Sequence, residues 1–232
     1  MNLFYVDPDN IIPPEIHIFG QEAKHIARVL RYTVGDSLDV TDGRGKRYRC
    51  IISGISKEQV SVNIEETETE VRQEPFVTLC LGIIKKRDRL EFAVEKAVEL
   101  GADEVILYKG SYSEKGKVRE DRIRSTVLAA MKQSLRLFLP DIRIAGSLEQ
   151  ALESADEKAV IVMADETAGG NTEPVLQSDR YFLVIGPEGG FSNEERDILK
   201  SRNATPYSLG PKRLRAETAA IVMTDHFKNT ES

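Results

Sequence analysis

At 232 residues, with 41% hydrophobic and 30% charged residues, the chain is long enough for one large domain or two modest ones and has the composition of a folded, water-soluble protein. A net charge of −6 argues against a general nucleic-acid binder unless the basic residues gather on one face. No stretch approaches the roughly 18 apolar residues of a membrane span, the N-terminus shows no basic and apolar leader, and the two cysteines, Cys50 and Cys80, lie outside any CxxC, which points to buried free thiols in a cytoplasmic protein and not to a disulfide framework or zinc site.

The first seventy residues predict short strands. Gly20 to Arg31 is the helical candidate among them, and His25, Arg28 and Arg31 recur on it at helical spacing. Ser37 to Thr41 runs into the turn dipeptide Asp42-Gly43, Tyr48 to Ile55 forms a second strand, and Val60 to Ile64 alternates with period two. Together these suggest a small β-barrel-like module. The acidic stretch Glu65 to Pro75 reads as a linker or connecting strand, which divides the chain into residues 1–73 and 74–232. Basic residues cluster at Lys24-His25-Arg28-Arg31, Arg44-Lys46-Arg47-Arg49, Lys85-Lys86-Arg87-Arg89 and Lys212-Arg213-Arg215. Each cluster fits a solvated face as well as a phosphate-binding one.

Beyond residue 74 the pattern changes to alternating strands and helices, the mark of an α/β domain with a largely parallel sheet and helices on its faces. Phe76 to Ile84 predicts a strand, and Asp88 to Leu100 a helix with an Asp88–Glu91 capping box, an apolar stripe through Leu90, Ala93, Val94, Ala97 and Val98, and Gly101 as its stop. Glu104 to Tyr108 is a strand. Val118 to Leu139 predicts a long helix ended by Pro140, on which Gln133 and Arg136 share a face. Ala159 to Ala164 and Arg180 to Ile185 are buried strands, and Ser192 with Glu195 forms a second capping box. A short strand at Pro206 to Leu209 precedes the last helix, Glu217 to Phe227, whose apolar run predicts burial.

Two glycine-proline loops carry most of the functional information. Ile185-Gly186-Pro187-Glu188-Gly189-Gly190 follows one strand, and Leu209-Gly210-Pro211-Lys212-Arg213-Leu214-Arg215-Ala216-Glu217-Thr218-Ala219 follows another. Loops at the carboxyl ends of strands in an open α/β sheet are where ligands bind. Glycine lets the backbone approach a ligand, and proline stiffens the loop. Neither a GxGxxG cradle nor a P-loop lysine is present, and no His/Cys/Asp cluster suggests a metal.

These loops, with His25 and Val29-Leu30-Arg31, Lys96 to Gly101, Gln133 and Arg136, resemble the 16S ribosomal RNA (uracil-N3)-methyltransferases of the SPOUT superfamily, along nearly the whole chain. The resemblance implies an N-terminal PUA-like β-barrel for RNA, a C-terminal α/β domain with a deep trefoil knot, S-adenosylmethionine as methyl donor, a homodimer, and 16S rRNA of the small ribosomal subunit as substrate. Three departures stand out: Lys132 replaces an acidic residue, Ser111 to Lys117 lacks the usual arginine-serine pair, and Ala216 replaces threonine.

Carried onto this sequence, the resemblance places the cofactor against Ala164, Leu183, Ile185, Gly186, Glu188, Gly189, Gly190, Leu209, Gly210, Leu214 and Thr218. RNA contacts fall on Lys24, His25, Arg28, Arg31, Lys86, Gln133, Lys212 and Arg213. Uracil N3 carries a proton and is a poor nucleophile, so the site needs a base or a cation that stabilises the ring anion. Arg215 is the candidate cation, Glu217 the candidate base or orienting group, and Arg136 the candidate from a partner subunit. Plainer alternatives are a phosphate contact for Arg215 and a first-turn helix carboxylate for Glu217. Rival functions are methylation of a ribose 2′-hydroxyl, and a non-catalytic RNA-binding assembly factor.

Overall fold

The computed structural model describes residues 2–113, 118–166 and 177–229. They form two compact units, Met1–Arg72 with Met131–Leu139, and Gln73–Ala130 with Pro140–Ser232.

The first unit is a six-stranded sheet in the order β1-β4-β5-β6-β3-β2, built from β1 (Leu3–Tyr5), β2 (Ile11–Ile12), β3 (Glu15–Phe19), β4 (Ser37–Thr41), β5 (Lys46–Ile55) and β6 (Gln59–Thr69). β1 and β4 run parallel, and the other pairs antiparallel. On β3, Ile16 and Ile18 turn into the core while Glu15 and Phe19 face out, as a period of two requires. β4 does not alternate in this way: Asp39 and Thr41 are buried beside Leu38 and Val40, because both of its faces are covered. The predicted helix is shorter than its sequence pattern: α1 (Gly20–Lys24) passes into a π-helical turn at His25–Val29, and Arg31 lies past the end in the left-handed region at φ 57°. Arg31 therefore does not continue the helical spacing of His25 and Arg28. Of the two readings of the acidic stretch, strand holds as far as Thr69, where Glu66 pairs with Arg49 at 2.9 Å and Glu68 with Arg47 at 3.6 Å across the ladder. These acidic and basic clusters answer each other.

The second unit is a parallel sheet in the order β12-β10-β11-β7-β8-β9. Its strands are β7 (Phe76–Gly82), β8 (Glu104–Tyr108), β9 (Asp141–Ala145), β10 (Val160–Ala164), β11 (Arg180–Ile185) and β12 (Thr205–Tyr207). β8 is buried at every position, as a strand covered on both faces must be. The helices are α2 (Arg87–Glu99), α3 (Glu120–Gln133), α4 (Leu148–Leu152), α5 (Asn193–Ser201) and α6 (Ala216–Asn229). β9 and α4 have no counterpart among the predicted elements, since an edge strand and a five-residue helix offer too few residues for a period to show. The predicted stripe of α2 is buried throughout, and Gly101 follows its end at φ 109°. The Asp88–Glu91 capping box is absent: Lys86 is the N-cap without a side-chain bond, and Glu91 instead faces Arg87 and Arg122. The Ser192–Glu195 box is formed in both directions.

α3 ends at Gln133, six residues before the predicted stop. Leu135 turns left-handed at φ 58°, and the chain beyond it pairs with the Asp42 to Gly45 turn of the first unit: Gly45 N donates to Leu137 O at 2.9 Å, and Leu139 N to Gly43 O at 2.9 Å. A side chain at Gly45 would collide with the Phe138 ring, its Cβ only 2.5 Å from Cζ. Gln133 and Arg136 consequently do not share a helix face. α6 is buried along Ala216, Glu217, Ala219, Ala220, Met223, Thr224 and Phe227, but Val222 remains 42% exposed, so it is not enclosed on all sides.

Candidate functional site

Ala164 of β10 pairs with Tyr207 of β12, and Met163 with Val184 of β11. Three neighbouring parallel strands therefore release their loops at one edge of the sheet, the position favoured for ligands. The loop after β11 is held from several sides. Tyr108 Oη donates to Ile185 O at 3.3 Å, and Gly190 N to Pro187 O at 2.8 Å. The Glu188 carboxylate accepts from Lys85 N at 3.2 Å through either oxygen. Buried Glu195 caps α5 and also accepts from Ser111 N at 2.9 Å. Pro187 lies against Gly82 so closely that a Cβ there would sit 2.5 Å from its ring. The loop after β12 turns at Gly210, φ 111°.

Between these loops lies a cavity of about 340 Å³, within the range of small-molecule sites. Of the residues predicted to hold a ligand, Ala164, Ile185, Gly186, Glu188, Gly190, Leu209, Gly210 and Leu214 line it, together with Lys212, Arg213 and Arg215. Three others do not. Leu183 is fully buried within β11, Thr218 is exposed on α6, and Gly189 faces Tyr112, whose Cβ would lie 2.6 Å from a Cβ at that glycine. The cavity adds Asp165, Glu166, Pro187, Phe191, Arg196, Ala216 and Ala219 to the set. Asp165 directly follows the apolar run of β10, a weaker signal than the glycine and proline of the other two loops. Arg196 became placeable only through its partner, since its Nη1 meets Asp165 Oδ2 at 2.8 Å.

Charge at the rim is mixed. Arg213 pairs with Glu166 at 3.2 Å, while the Arg215 side chain is 69% exposed. Glu217 is buried and does not line the cavity; its Oε1 lies 3.5 Å from Arg89 Nε and 4.0 Å from Arg215 Nη1. Neither cysteine suits nucleophilic chemistry, because burial pushes the Cys50 thiol up to about 12 and Cys80 further in the same direction. Among the described residues no group of three or more His, Cys, Asp or Glu side chains is arranged to hold a metal ion.

In the first unit, Lys24, His25, Arg28 and Arg31 are exposed. His25 and Gln133 share a second cavity with Phe4, Gln21, Glu22 and Lys132, where Lys132 pairs with Glu22. Arg136 N donates to Met131 O at 3.0 Å in the segment after α3. Lys86 is exposed at the start of α2. Glu114 to Lys117, part of the loop that departs from the family pattern, lie outside the described residues.

Residues 72–228 match the RNA methyltransferase domain, and residues 20–65 the RNA methyltransferase PUA domain. Ribosomal RNA small subunit methyltransferase E of Rickettsia conorii is 30% identical over 201 residues, covering 85% of this chain and 82% of that protein. A probable rRNA-methyltransferase from Porphyromonas gingivalis superposes with a TM-score of 0.85 at 32% identity, over 97% of this chain and 95% of that one. A putative methyltransferase from Legionella pneumophila, in complex with the bound cofactor SAM, gives 0.85 at 26% identity, over 97% and 96%.

Proposed function

The chain belongs to the family of ribosomal RNA small subunit methyltransferase E, and from that premise we propose that it methylates N3 of a uridine in 16S rRNA with S-adenosylmethionine as donor. The observation that carries this is the cavity at the carboxyl ends of β10, β11 and β12, walled by both glycine-proline loops. Its residues fit the cofactor. Gly186, Gly190 and Gly210 offer main-chain groups without side chains in the way, Ile185, Leu209 and Leu214 offer apolar cover, and Asp165 and Glu188 offer carboxylates for a cationic group. Bound there, the cofactor supplies an electrophilic methyl group. The protein has to hold the acceptor nitrogen in line with that methyl, and this positioning accounts for much of the rate. Arg215 stands at the rim with a permanently charged fork suited to a carbonyl oxygen, and it stabilises the uracil ring as an anion once its N3 proton has passed to solvent water.

The same reading assigns a cytoplasmic enzyme that works without metal on rRNA of the small ribosomal subunit, with Lys24, His25, Arg28, Arg31, Lys86, Gln133, Lys212 and Arg213 touching RNA. It makes the active form a homodimer through residues 74–232. Phe92 on α2 and Val222 on α6, 47% and 42% exposed on two helices packed together, support this by leaving apolar surface uncovered on the single chain. A trefoil knot belongs to the proposal too, supported by the insertion of β11 between β7 and the earlier strand β10. Mass spectrometry of 16S rRNA nucleosides from a deletion strain tests the activity. Loss of 3-methyluridine, restored by the gene, is expected. Loss of a 2′-O-methyl nucleoside would move the acceptor to ribose, and an unchanged methylation profile would leave an assembly factor.

A further inference from the structure

Resting on the methyl-transfer reading of the cavity, we infer that Glu217 is a positioning residue for Arg215 and not a base, and that Arg89 of α2 completes the seat in which Glu217 acts. Glu217 is only 7% exposed and is absent from the cavity wall, so no substrate atom in the cavity meets its carboxylate. It lies instead between two guanidinium groups, with Arg89 Nε at 3.5 Å and Arg215 Nη1 at 4.0 Å from the same oxygen, Oε1. Its other oxygen, Oε2, is buried and has no hydrogen-bond donor among the described residues. A buried carboxylate oxygen left without a donor is costly, and the cost falls when a donor arrives.

Arg215 is the group free to bring that donor. Its side chain is 69% exposed and separated from Glu217 by one residue, and a guanidinium carries five N–H donors, enough to meet a carboxylate with one edge and a substrate carbonyl with another. Arg89 is more restricted. It projects from α2, which packs on α6, and its side chain is 31% exposed. The arrangement is an anchored cation, a buried carboxylate and a mobile cation. Arg89 fixes Glu217, and Glu217 restricts Arg215 to the geometry in which its outer edge faces the cavity.

Two measurements on the full chain test this. The first needs no activity: ¹⁵N relaxation of the arginine Nε groups in the ligand-free protein. Arg215 should lose order in E217Q and R89Q, while Arg213, which pairs with Glu166, should keep its order in both; unchanged order of Arg215 in E217Q would overturn the inference. The second is single-turnover methylation of rRNA at saturating RNA. E217Q, R89Q and R215Q should each slow it on the order of a hundredfold, as a misplaced group does, with cofactor affinity within about twofold of wild type. The double variants R89Q/R215Q and E217Q/R215Q should be no slower than R215Q alone, since residues that act as one unit are not additive. A further large loss in E217Q/R215Q would make Glu217 an independent base, and a wild-type rate in R89Q would remove Arg89 from the seat. Should R89Q fail to fold, R89K keeps the charge but not the fork, and an intermediate rate and order are expected of it; wild-type values for both would overturn the role of Arg89. An inactive wild-type protein would refute the methyltransferase reading while the relaxation result still decides the seat.

Discussion

Lys228, near the end of α6, should be worth more to stability than any exposed charge. Its ammonium donates to Gln73 O at 3.1 Å, Pro75 O at 2.7 Å and Asp103 Oδ2 at 2.8 Å. The Lys228 and Asp103 side chains are 11% and 2% exposed. Asp103 Oδ2 also accepts from Val77 N at 3.0 Å, so one group ties α6 to the entries of β7 and β8. Lys228→Met keeps the aliphatic stem that packs over Gly101, where a Cβ would lie 2.7 Å from Lys228 Cγ, and removes the charge together with its three hydrogen bonds. Breaking a buried pair from one side costs about 3–5 kcal/mol. The remaining Val77 N–H bond places the expectation at the lower end, about 3 kcal/mol, or a fall in Tm of roughly 6–12 °C for a unit of this size. Lys228→Met with Asp103→Asn should recover at least half of that loss, because no uncompensated charge remains. Thermal unfolding followed by circular dichroism reads both. A single variant within about 2 °C of wild type, or a double variant no better than the single, would show that the three contacts do not act as a buried anchor.

Arg215→Ala should leave cofactor affinity near normal while slowing single-turnover methylation roughly 10²–10³-fold, the usual loss for a donor aimed at developing charge; a wild-type rate at saturating RNA would reduce it to a phosphate contact. Burial holds the Glu104 carboxyl above its ordinary range, against the opposing pull of Arg143 and the Thr78 hydrogen bond. The folded state therefore binds the proton more tightly, and the stability this residue contributes is full below the unfolded value and lost as pH rises through the folded one. Glu104→Gln should gain in Tm relative to wild type as pH rises above the ordinary carboxylate range, and a gap that shrinks with that rise would contradict the burial argument. Gly189→Ala should lower stability through Tyr112 more than it lowers cofactor affinity; calorimetry showing an intact fold with lost binding would return Gly189 to the cavity wall. Cys50, buried and raised to about 12, should stay unmodified by a thiol reagent at neutral pH until the protein is unfolded, and rapid native labelling would refute that.

What the sequence displayed and what it concealed differ in physical kind. The inner strands of the parallel sheet, β7, β8, β10 and β11, announce themselves because each is a largely apolar run, and the loops after β11 and β12 because glycine and proline record a backbone requirement in the residue itself. Most of the cavity wall follows from those two facts. Concealed were the features decided by a distant partner. The end of α3 is one: Ser134 to Leu139 contains no helix breaker, and only the carbonyl and amide groups of Gly43 and Gly45, ninety residues earlier, draw it out of the helix. The capping box at Asp88 is another, since the right residue types occur at the right spacing but the helix begins two residues too soon for them to serve.

Glu217 brings the two kinds together. Its place in an LRAET motif at the start of a helix marks it as a candidate base or orienting group, and the motif does put it within one residue of the cavity wall. A helix advances 100° per residue, however, so the neighbour of a wall residue points elsewhere. Ala216 and Ala219 face the cavity, and Glu217 is turned toward α2, where Arg89 waits in a cluster that sequence alone could not distinguish from a solvated face. The position of a carboxylate in a motif therefore fixes which helix carries it, while its chemistry depends on what the opposite helix offers, and here that is a cation that holds it in place.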